Sequence, residues 1–174
     1  MPADIAFRPV TAADYPLLLG WLNAPHVREW WGDPEQELDQ IRAMVEGRDT
    51  TRAYLIELAG HPVGYAQAWY VDDNRAFAAD YPWIDDLPAG TVGVDLTIGD
   101  PALLSRGIGS AALAVFTARL RAEGHETIVI DPDSANLRAV RAYAKAGFRP
   151  IPTLEGRTSG ALIMQHHPEA TCPT

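Results

Sequence analysis

The sequence contains one cysteine, Cys172, close to its C-terminal end. A single cysteine cannot form an internal disulfide, and such sparing use is typical of proteins that fold in a reducing cytoplasm. The sequence has no run of about 18 apolar residues, so we expect no membrane span. Its first residues do not combine a basic region with an apolar core, so we also expect no secretory signal peptide. Together these absences predict a cytoplasmic protein.

Positive charge is also scarce, because 14 Lys and Arg stand against 23 Asp and Glu, a formal net charge of −9. This balance argues against nucleic acid as a partner, since phosphates require Lys and Arg. It favours a cationic partner, although many proteins carry excess acid only for solubility. The histidines have no spacing typical of metal ligands, so we predict no metal site: His26, His61, His125, His166 and His167.

The length and the patterning predict one domain over residues 1–174, with a core over about 7–165 and a tail over 166–174. Short apolar runs bounded by turn residues predict strands, and apolar positions three and four apart predict helices. The predicted strands cover 6–10, 52–58, 63–71, 91–98, 126–131, 149–154 and 161–165. Helices are predicted after Thr11, after Asp33, over 109–122, and from Asp133 or Ser134 to Ala146. This order indicates an α/β arrangement with an antiparallel front and a βαβ core.

The stretch Leu104–Leu113 is the centre of that βαβ unit, because it joins the strand 91–98 to the helix 109–122. Gly107 and Gly109 lie in the turn, where the absence of a Cβ allows a close approach to the backbone. The start of a helix presents unpaired N–H groups and a positive dipole end, which suits a phosphate or pyrophosphate. Two glycines before a helix are also ordinary turn chemistry, so the motif needs support from elsewhere.

That support comes from a resemblance over Val92–Phe148 to the GNAT superfamily of acyl-CoA-dependent N-acetyltransferases. Arg106-Gly107-Ile108-Gly109 is similar to the family's pyrophosphate loop, Q/R-x-x-G-x-G/A, with Leu104 where many members have Gln or Arg. The segment Asn136–Phe148 is similar to its second signature, N-x-x-A-x-x-x-Y-x-x-x-G-F. The resemblance implies a GNAT-like α+β fold, a mixed and largely antiparallel central sheet flanked by helices in three layers. It also implies acetyl-CoA as the cofactor.

Within the superfamily the sequence is closer to the aminoglycoside 6′-N-acetyltransferases, over about 7–164. The landmarks are Glu29–Gly32, Gly64–Gln67, Gly93–Asp95, Ile130–Ala139 and an acidic, aromatic insertion over 72–90. This resemblance implies acetyl transfer to a primary amine of a polycationic aminoglycoside, the 6′-amine, by direct attack in a ternary complex. Related branches act on hydroxylysine-type siderophore precursors, so such a precursor, a polyamine or a protein amine is the alternative acceptor. A non-catalytic acyl-CoA-binding module is the second alternative. We expect a monomer or a homodimer.

The resemblance also implies which residues hold the cofactor. The strand residues Leu96, Thr97 and Ile98 would bind the pantetheine arm through their backbone. The pyrophosphate would lie on the loop and the helix start, formed by Arg106, Gly107, Ile108, Gly109 and Ser110. Asn136 would contact the cofactor, and its alternative role is that of a helix cap or first-turn residue.

Two residues are predicted to be catalytic, Asp95 and Tyr143. A phenol is normally protonated at neutral pH, so Tyr143 could donate a proton to the departing sulfur; its alternative role is packing. Asp95 lies in an apolar strand, where an unpaired charge is costly. A substrate ammonium would compensate it, and Asp95 could then accept the amine proton directly or through water. An internal arginine or backbone donors would compensate it equally well. We predict no covalent acyl-enzyme, since the lone Cys172 lies in the predicted tail.

The remaining predictions concern the acceptor. Asp131 ends its strand as Asp95 does and could hold a second ammonium, although Asp-Pro-Asp-Ser is also turn chemistry. Gln67 could bind sugar hydroxyls or pair within the sheet, and of the two adjacent tryptophans Trp31 is favoured as a substrate wall. The segment 72–90 would act as a flap that attracts a polycation, or it is a solvated acidic loop. Its predicted contacts are Trp83 and Tyr81, which would stack on sugar faces, and the carboxylates of Asp85 and Asp86.

Overall fold

A single seven-stranded sheet forms the middle layer of the protein, whose computed structural model describes residues 4–168. The strand order is β1-β2-β3-β4-β5-β7-β6, and only the β4–β5 pair is parallel. The strands are β1 Ile5–Pro9, β2 Arg52–Leu58, β3 His61–Tyr70, β4 Val92–Ile98, β5 Ile128–Ile130, β6 Phe148–Pro150 and β7 Met164–His166. The helices are α1 Tyr15–Asn23, α2 Pro25–Trp31, α3 Pro34–Val45, α4 Val71–Asn74, α5 Ile108–Ala122 and α6 Leu137–Lys145. The expected mixed, largely antiparallel sheet flanked by helices is confirmed.

Two hydrophobic clusters attach helices to opposite faces of the sheet. On one face Phe116 and Leu113 of α5 pack against strand residues that include Ile56 and Val94. On the other face α1, α2 and α3 pack against Leu55 and Tyr65, which alternate in direction with their strand neighbours. This arrangement gives three layers, and it brings α2 and α3 close to the face of β3 and β4 that carries polar residues.

Local chemistry explains where several of these helices begin. The Asp33 side chain accepts the N–H groups of Glu35 and Gln36 at 3.1 and 3.0 Å, and Pro34 occupies the first helical position of α3. At α6 the prediction of Asp133 or Ser134 as the cap is wrong. Asn136 is the N-cap, and its Oδ1 accepts the Ala139 N–H at 3.2 Å. Asp133 instead accepts the Ala135 N–H at 2.8 Å, in the turn that precedes the helix.

The strands β4 and β5 pair over only two positions, Val92 with Ile128 and Gly93 with Val129. Beyond them β4 continues to Ile98, still paired with β3 on its other side. Because backbone groups alternate in direction along a strand, the N–H and C=O groups of Val94 and Leu96 point towards the side that β5 has left. No other strand within residues 4–168 occupies that side, so β4 carries an open edge inside the fold.

The segment 72–90 is not a free loop. It forms α4 and two short 3₁₀ turns, Arg75–Phe77 and Pro82–Asp86, and its apolar side chains make a third hydrophobic cluster with Val129. At the other end of the chain, β7 includes His166, so the predicted tail begins too early. Cys172 lies outside the residues that the structure describes. Over residues 4–168, no helix combines the length and the apolar character that a bilayer-spanning helix needs.

Candidate active site

A cleft of about 910 Å³ opens where β4 and β5 diverge, between the start of α5, the helix α6 and the helices α2 and α3. Thirteen of the residues predicted from the sequence line it: Trp31, Gln67, Tyr81, Asp95, Leu96, Thr97, Ile98, Gly107, Gly109, Ser110, Asp131, Asn136 and Tyr143. These residues come from five helices and strands and from connecting loops, and the tertiary fold brings them to one place. We therefore take this cleft as the candidate active site.

The glycine turn forms one wall of the cleft. Gly107 is the N-cap of α5 with φ of 80°, a left-handed conformation that a residue with a Cβ rarely adopts. A Cβ added to Gly107 would meet nothing within 4 Å, and one added to Gly109 would meet only a side-chain carbon of Ile98 at 3.9 Å. The N–H groups of the first helical turn have no intrahelical partner. The turn is thus an open cradle lined with donors, and an anion such as a pyrophosphate fits it.

The open edge of β4 forms the floor beside that cradle. Its last carbonyl, that of Ile98, lies 2.9 Å from Nε2 of His26 on α2. Leu96 and Ile98 line the cleft, although each residue is only 8% exposed. An extended amide-containing arm could pair with this edge in the way that a further strand would. The pantetheine arm of coenzyme A has that chemistry.

Asp95 lies at the centre of the floor, opposite Gln67 on the neighbouring strand β3. Nε2 of Gln67 donates a hydrogen bond to Oδ2 of Asp95 over 3.0 Å, and the Tyr65 hydroxyl donates to Oε1 of Gln67 over 2.8 Å. No Lys or Arg within residues 4–168 forms an ion pair with Asp95. Burial raises the pKa of Asp95, and the Gln67 hydrogen bond opposes this shift most strongly. Gln67 is thus engaged within the sheet, one of its two predicted roles.

Asp131 follows β5 and brings a second carboxyl against Asp95. Its pKa is raised well above the usual range, first by burial and then by the negative charge and the hydrogen bond of Asp95. Two carboxyls in contact cannot both ionise freely, so Asp131 retains a proton more readily than Asp95. A bound ammonium group would favour ionisation of both.

Tyr143 on α6 is half-buried, packs against the core on one side and faces the cleft on the other. Burial, followed by the charges of Asp95 and Asp131, raises the pKa of Tyr143 far above its usual range, and only Arg138 opposes that shift. The phenol therefore keeps its proton at neutral pH. This is the state that a proton donor requires.

Another part of the cleft lining is acidic and aromatic. Trp31 both lines the cleft and packs edge-on against Tyr65, with ring centroids 5.7 Å apart. Tyr81 lines the cleft with 54% of its surface exposed, as an aromatic wall would. Glu37 of α3 is an additional carboxyl there, and burial and then the charge of Asp95 raise its pKa. Carboxyls and aromatic rings together suit a cationic sugar.

The part of the cleft lining that α6 contributes is cationic. Arg138, Arg141 and Lys145 of α6 all line it, and their spacing places them on one side of the helix. None of the three forms an ion pair with another residue in the part of the chain that the structure describes. In a protein with a net charge of −9, such a group of cations is suited to phosphate.

The structure places several predicted contacts away from the cleft. Trp83 is 7% exposed and packs edge-on against Trp69 in the third hydrophobic cluster, so the prediction that it stacks on substrate is wrong. Asp86 forms an ion pair with Arg157 at 3.1 Å, and Asp85 lies 3.9 Å from Arg75. Neither aspartate lines the cleft, which corrects their predicted contact with substrate.

Two loop residues also differ from their predicted position. Arg106 is exposed outside the cleft lining, and the Ile108 side chain packs against the main core. Their backbone N–H groups still belong to the loop and to the first turn of α5. We therefore keep only the prediction that the backbone N–H groups of Arg106 and Ile108 bind the cofactor.

Sequence reasoning missed six residues that prove to lie in or behind the cleft: His26, Glu37, Tyr65, Arg138, Arg141 and Lys145. The three cations could have been found, because their spacing on a predicted helix is visible in the sequence. Glu37 could not have been found, since its direction depends on how α3 packs against the sheet.

Comparison with known proteins agrees with this geometry. The model of the acetyltransferase (GNAT) domain family matches residues 10–155. An aminoglycoside N(6′)-acetyltransferase type 1 of Klebsiella pneumoniae is 30% identical over 92% of this chain and 82% of its own length, and one of Serratia marcescens has the same values. The structure of AAC(6′)-Ib with parmomycin and acetyl-CoA has a TM-score of 0.80 at 26% identity, over 98% of this chain and 99% of that one. The same aminoglycoside acetyltransferase with coenzyme A has a TM-score of 0.77 at 28% identity, over 94% of each chain. This chain is a member of the GNAT acetyltransferase family, in the group that contains the aminoglycoside N(6′)-acetyltransferases.

Proposed function

We propose that the protein transfers an acetyl group from acetyl-CoA to the 6′-amine of a polycationic aminoglycoside, by direct attack within a ternary complex. The observation that carries this proposal is the presence of both kinds of charge in one cleft. Three cations of α6 and the anion cradle at the start of α5 line it together with the carboxyls of Asp95, Asp131 and Glu37 and with aromatic side chains. A phosphate-bearing donor and a polycationic acceptor match these two sets of groups. The activity of the curated relatives and the ligands bound in the similar solved structures support the same pair of substrates.

The cofactor end is assigned from the fit of its residues. The turn around Gly107 and Gly109 has the open space and the backbone donors that a pyrophosphate needs. Arg138, Arg141 and Lys145 would neutralise further phosphate charge, and the edge of β4 would pair with the pantetheine arm. Asn136 would offer its Nδ2 to the cofactor, since its Oδ1 accepts the Ala139 N–H and caps α6. Acetyl-CoA, when bound, supplies an acyl group activated as a thioester.

At the acceptor end the carboxyls select and prepare the amine. The Asp95 carboxylate attracts an ammonium and then accepts its proton, directly or through a water, so that the amine becomes a nucleophile. Asp131 and Glu37 hold other ammonium groups of the same polycation. Tyr143 keeps its proton on Oη and donates it to the leaving sulfur. Cys172 has no part in this scheme.

The experiment compares two aminoglycosides that differ only at the acceptor position. Neomycin carries an amine at the 6′ position and paromomycin a hydroxyl, and release of free thiol from acetyl-CoA is followed with each. We expect turnover with neomycin, kanamycin and tobramycin, and none with paromomycin. Turnover with both members of the pair would reject the 6′-amine, and turnover with none would reject the aminoglycoside.

Two further arms separate the alternative functions. Spermidine and N6-hydroxylysine are tested as acceptors in the same assay. Thiol release with either, and none with an aminoglycoside, would assign the protein to another acceptor class. Binding of acetyl-CoA in calorimetry without turnover of any amine would instead indicate a non-catalytic acyl-CoA-binding module.

A further inference from the structure

A buried tyrosine lies directly behind the proposed catalytic carboxylate. Tyr65 is 2% exposed, does not line the cleft, and sits among α1, α2 and α3 in the second hydrophobic cluster. Its hydroxyl donates to Oε1 of Gln67 over 2.8 Å and lies 3.6 Å from the sulfur of Met44. Tyr65 and Gln67 are two positions apart on β3, so both point to the same face of the sheet.

The Gln67 side chain connects this hydroxyl to Asp95. An amide group has nearly the same shape in its two orientations, but one end donates hydrogen bonds and the other accepts them. A carboxylate at Asp95 needs the N–H end, and the observed hydrogen bond of 3.0 Å is of this kind. The oxygen end then faces Tyr65, whose hydroxyl satisfies it.

We propose that Tyr65 is a positioning residue for acetyl transfer, because its hydroxyl fixes the Gln67 amide with an N–H group on Asp95. The proposal rests on the proposed function, since it acts through Asp95. Tyr65 itself remains a donor throughout the working pH range, because burial and then the charge of Asp95 raise its pKa well above the usual value.

The other titratable groups around Asp95 make this donor important. They are Asp131 after β5, Glu37 on α3, Tyr143 on α6 and Tyr65 on β3. Each is acidic or neutral, and Arg138, which faces Tyr143, forms no ion pair with Asp95. Among the side-chain hydrogen bonds that favour the charged form of Asp95, the one from Gln67 is the largest, ahead of those with Asp131 and Trp69.

Tyr65→Phe removes the hydroxyl and keeps the ring. Without it the amide can rotate, and Asp95 loses part of its stabilising hydrogen bond, so the acidic limb of kcat/KM should move up by about 0.5–1 pH unit. Below its midpoint kcat/KM should fall by about three- to tenfold, and at high pH it should recover. Tyr54→Phe is the matched control, because Tyr54 is a buried tyrosine of β2 outside the cleft, and it should leave the profile unchanged.

Two more measurements test whether the effect passes through Gln67. In a Gln67→Ala background, Tyr65→Phe should add no further shift. NMR titration of ¹³C-labelled aspartate carboxyls, assigned with Asp95→Asn and run without any acceptor, should show the same displacement of the Asp95 midpoint. A loss of activity equal at all pH values, or an equal loss in the Gln67→Ala background, would overturn the proposal. If wild-type protein fails to acetylate aminoglycosides, the NMR titration still decides the role of Tyr65, so the two failures are distinguishable.

Discussion

Nε2 of Gln67 donates a hydrogen bond to Oδ2 of Asp95 over 3.0 Å, across the register that pairs β3 with β4. The sequence did not indicate which group stabilises the Asp95 carboxylate inside an apolar strand, and this hydrogen bond identifies one. The leading partner of the carboxylate is a neutral amide, hydrogen bonds with Asp131 and Trp69 add to it, and no arginine within residues 4–168 forms an ion pair with Asp95. Asp95 therefore keeps its capacity to bind a cation from outside.

Asp95→Asn should remove most of the activity and leave cofactor binding intact. Asparagine has the same shape but cannot accept the amine proton, so kcat/KM for the amine should fall by about 10²–10⁴-fold. Affinity for acetyl-CoA, measured by calorimetry, should stay within about threefold, because Asp95 does not interact with the phosphates. An equal loss of cofactor affinity would contradict its role on the acceptor side.

Tyr143→Phe should lower kcat by about 10²-fold while KM for the amine changes little, since only the proton donor is lost. Single-turnover rates are the appropriate measurement, because slow product release can hide a change in the chemical step. Tyr70→Phe is the control, as Tyr70 lies at the end of β3 outside the cleft. A variant with unchanged single-turnover rates would assign Tyr143 to packing alone.

Glu37→Gln tests whether Glu37 binds one of the other ammonium groups of the polycation. KM for kanamycin should rise by about fivefold, because one charge-assisted hydrogen bond to the polycation is lost. The KM for a monoamine fragment, methyl 6-amino-6-deoxyglucoside, should not change. Glu35→Gln is the matched control, since Glu35 is an exposed residue of α3 that does not line the cleft. A rise in both KM values in the Glu37 variant would indicate a general effect on the cleft.

The cationic side of α6 predicts a dependence on the cofactor's 3′-phosphate. In the double variant Arg141→Gln, Lys145→Gln, the ratio of kcat/KM for acetyl-CoA to that for acetyl-dephospho-CoA should fall by about tenfold. The variant lacks the two positive charges that would bind the 3′-phosphate. Arg48→Gln is the control, as Arg48 is exposed, pairs with Glu46 and lies outside the cleft. An unchanged preference would exclude these residues as the phosphate contacts.

Asp131→Asn should stabilise the protein at neutral pH. The pKa of Asp131 is higher in the folded protein than in the unfolded chain, so the folded state holds this proton more tightly. This contribution to the free energy of unfolding is fully present when the pH is below the pKa of Asp131 in the unfolded chain. It is lost as the pH rises through the pKa of Asp131 in the folded protein. Asparagine cannot ionise, so Tm should rise by about 2–4 °C at pH 7–8 and stay unchanged near pH 3. Lower stability at both pH values would mean that the carboxyl is needed for the fold.

The same raised pKa values set the pH dependence of activity. Asp95 must be ionised to accept a proton, and burial raises its pKa, so kcat/KM should fall on the acidic side at a higher pH than an ordinary carboxyl would give. In Asp131→Ala this midpoint should move up, because the protonated Asp131 carboxyl is lost together with the hydrogen bond that lowers the pKa of Asp95. A downward movement would show that Asp131 is charged when Asp95 ionises and opposes its charge.

Local patterns were enough to predict much of the molecule. The Asp33–Pro34 start of α3, the glycine turn before α5 and the buried strand β5 follow from capping, backbone freedom and apolar runs, which act over a few residues. The start of α6 was misplaced, because Asp133, Ser134 and Asn136 are all good caps and only the packed turn selects one of them.

The acceptor side of the cleft depended on contacts between distant parts of the chain. The position of Trp83 in an acidic segment predicts a contact with substrate. The ring is instead buried against Trp69, because burial of a large aromatic side chain stabilises the fold more than its exposure to solvent would. Asp86 forms an ion pair with Arg157, which lies far from it in the sequence. The cofactor cradle could be predicted from the sequence, because it consists of a glycine turn and the start of the helix that follows it. Only tertiary packing determined which carboxyls face the amine. The direction of those side chains depends on how α3 and the segment 72–90 pack against the sheet and on where β5 ends.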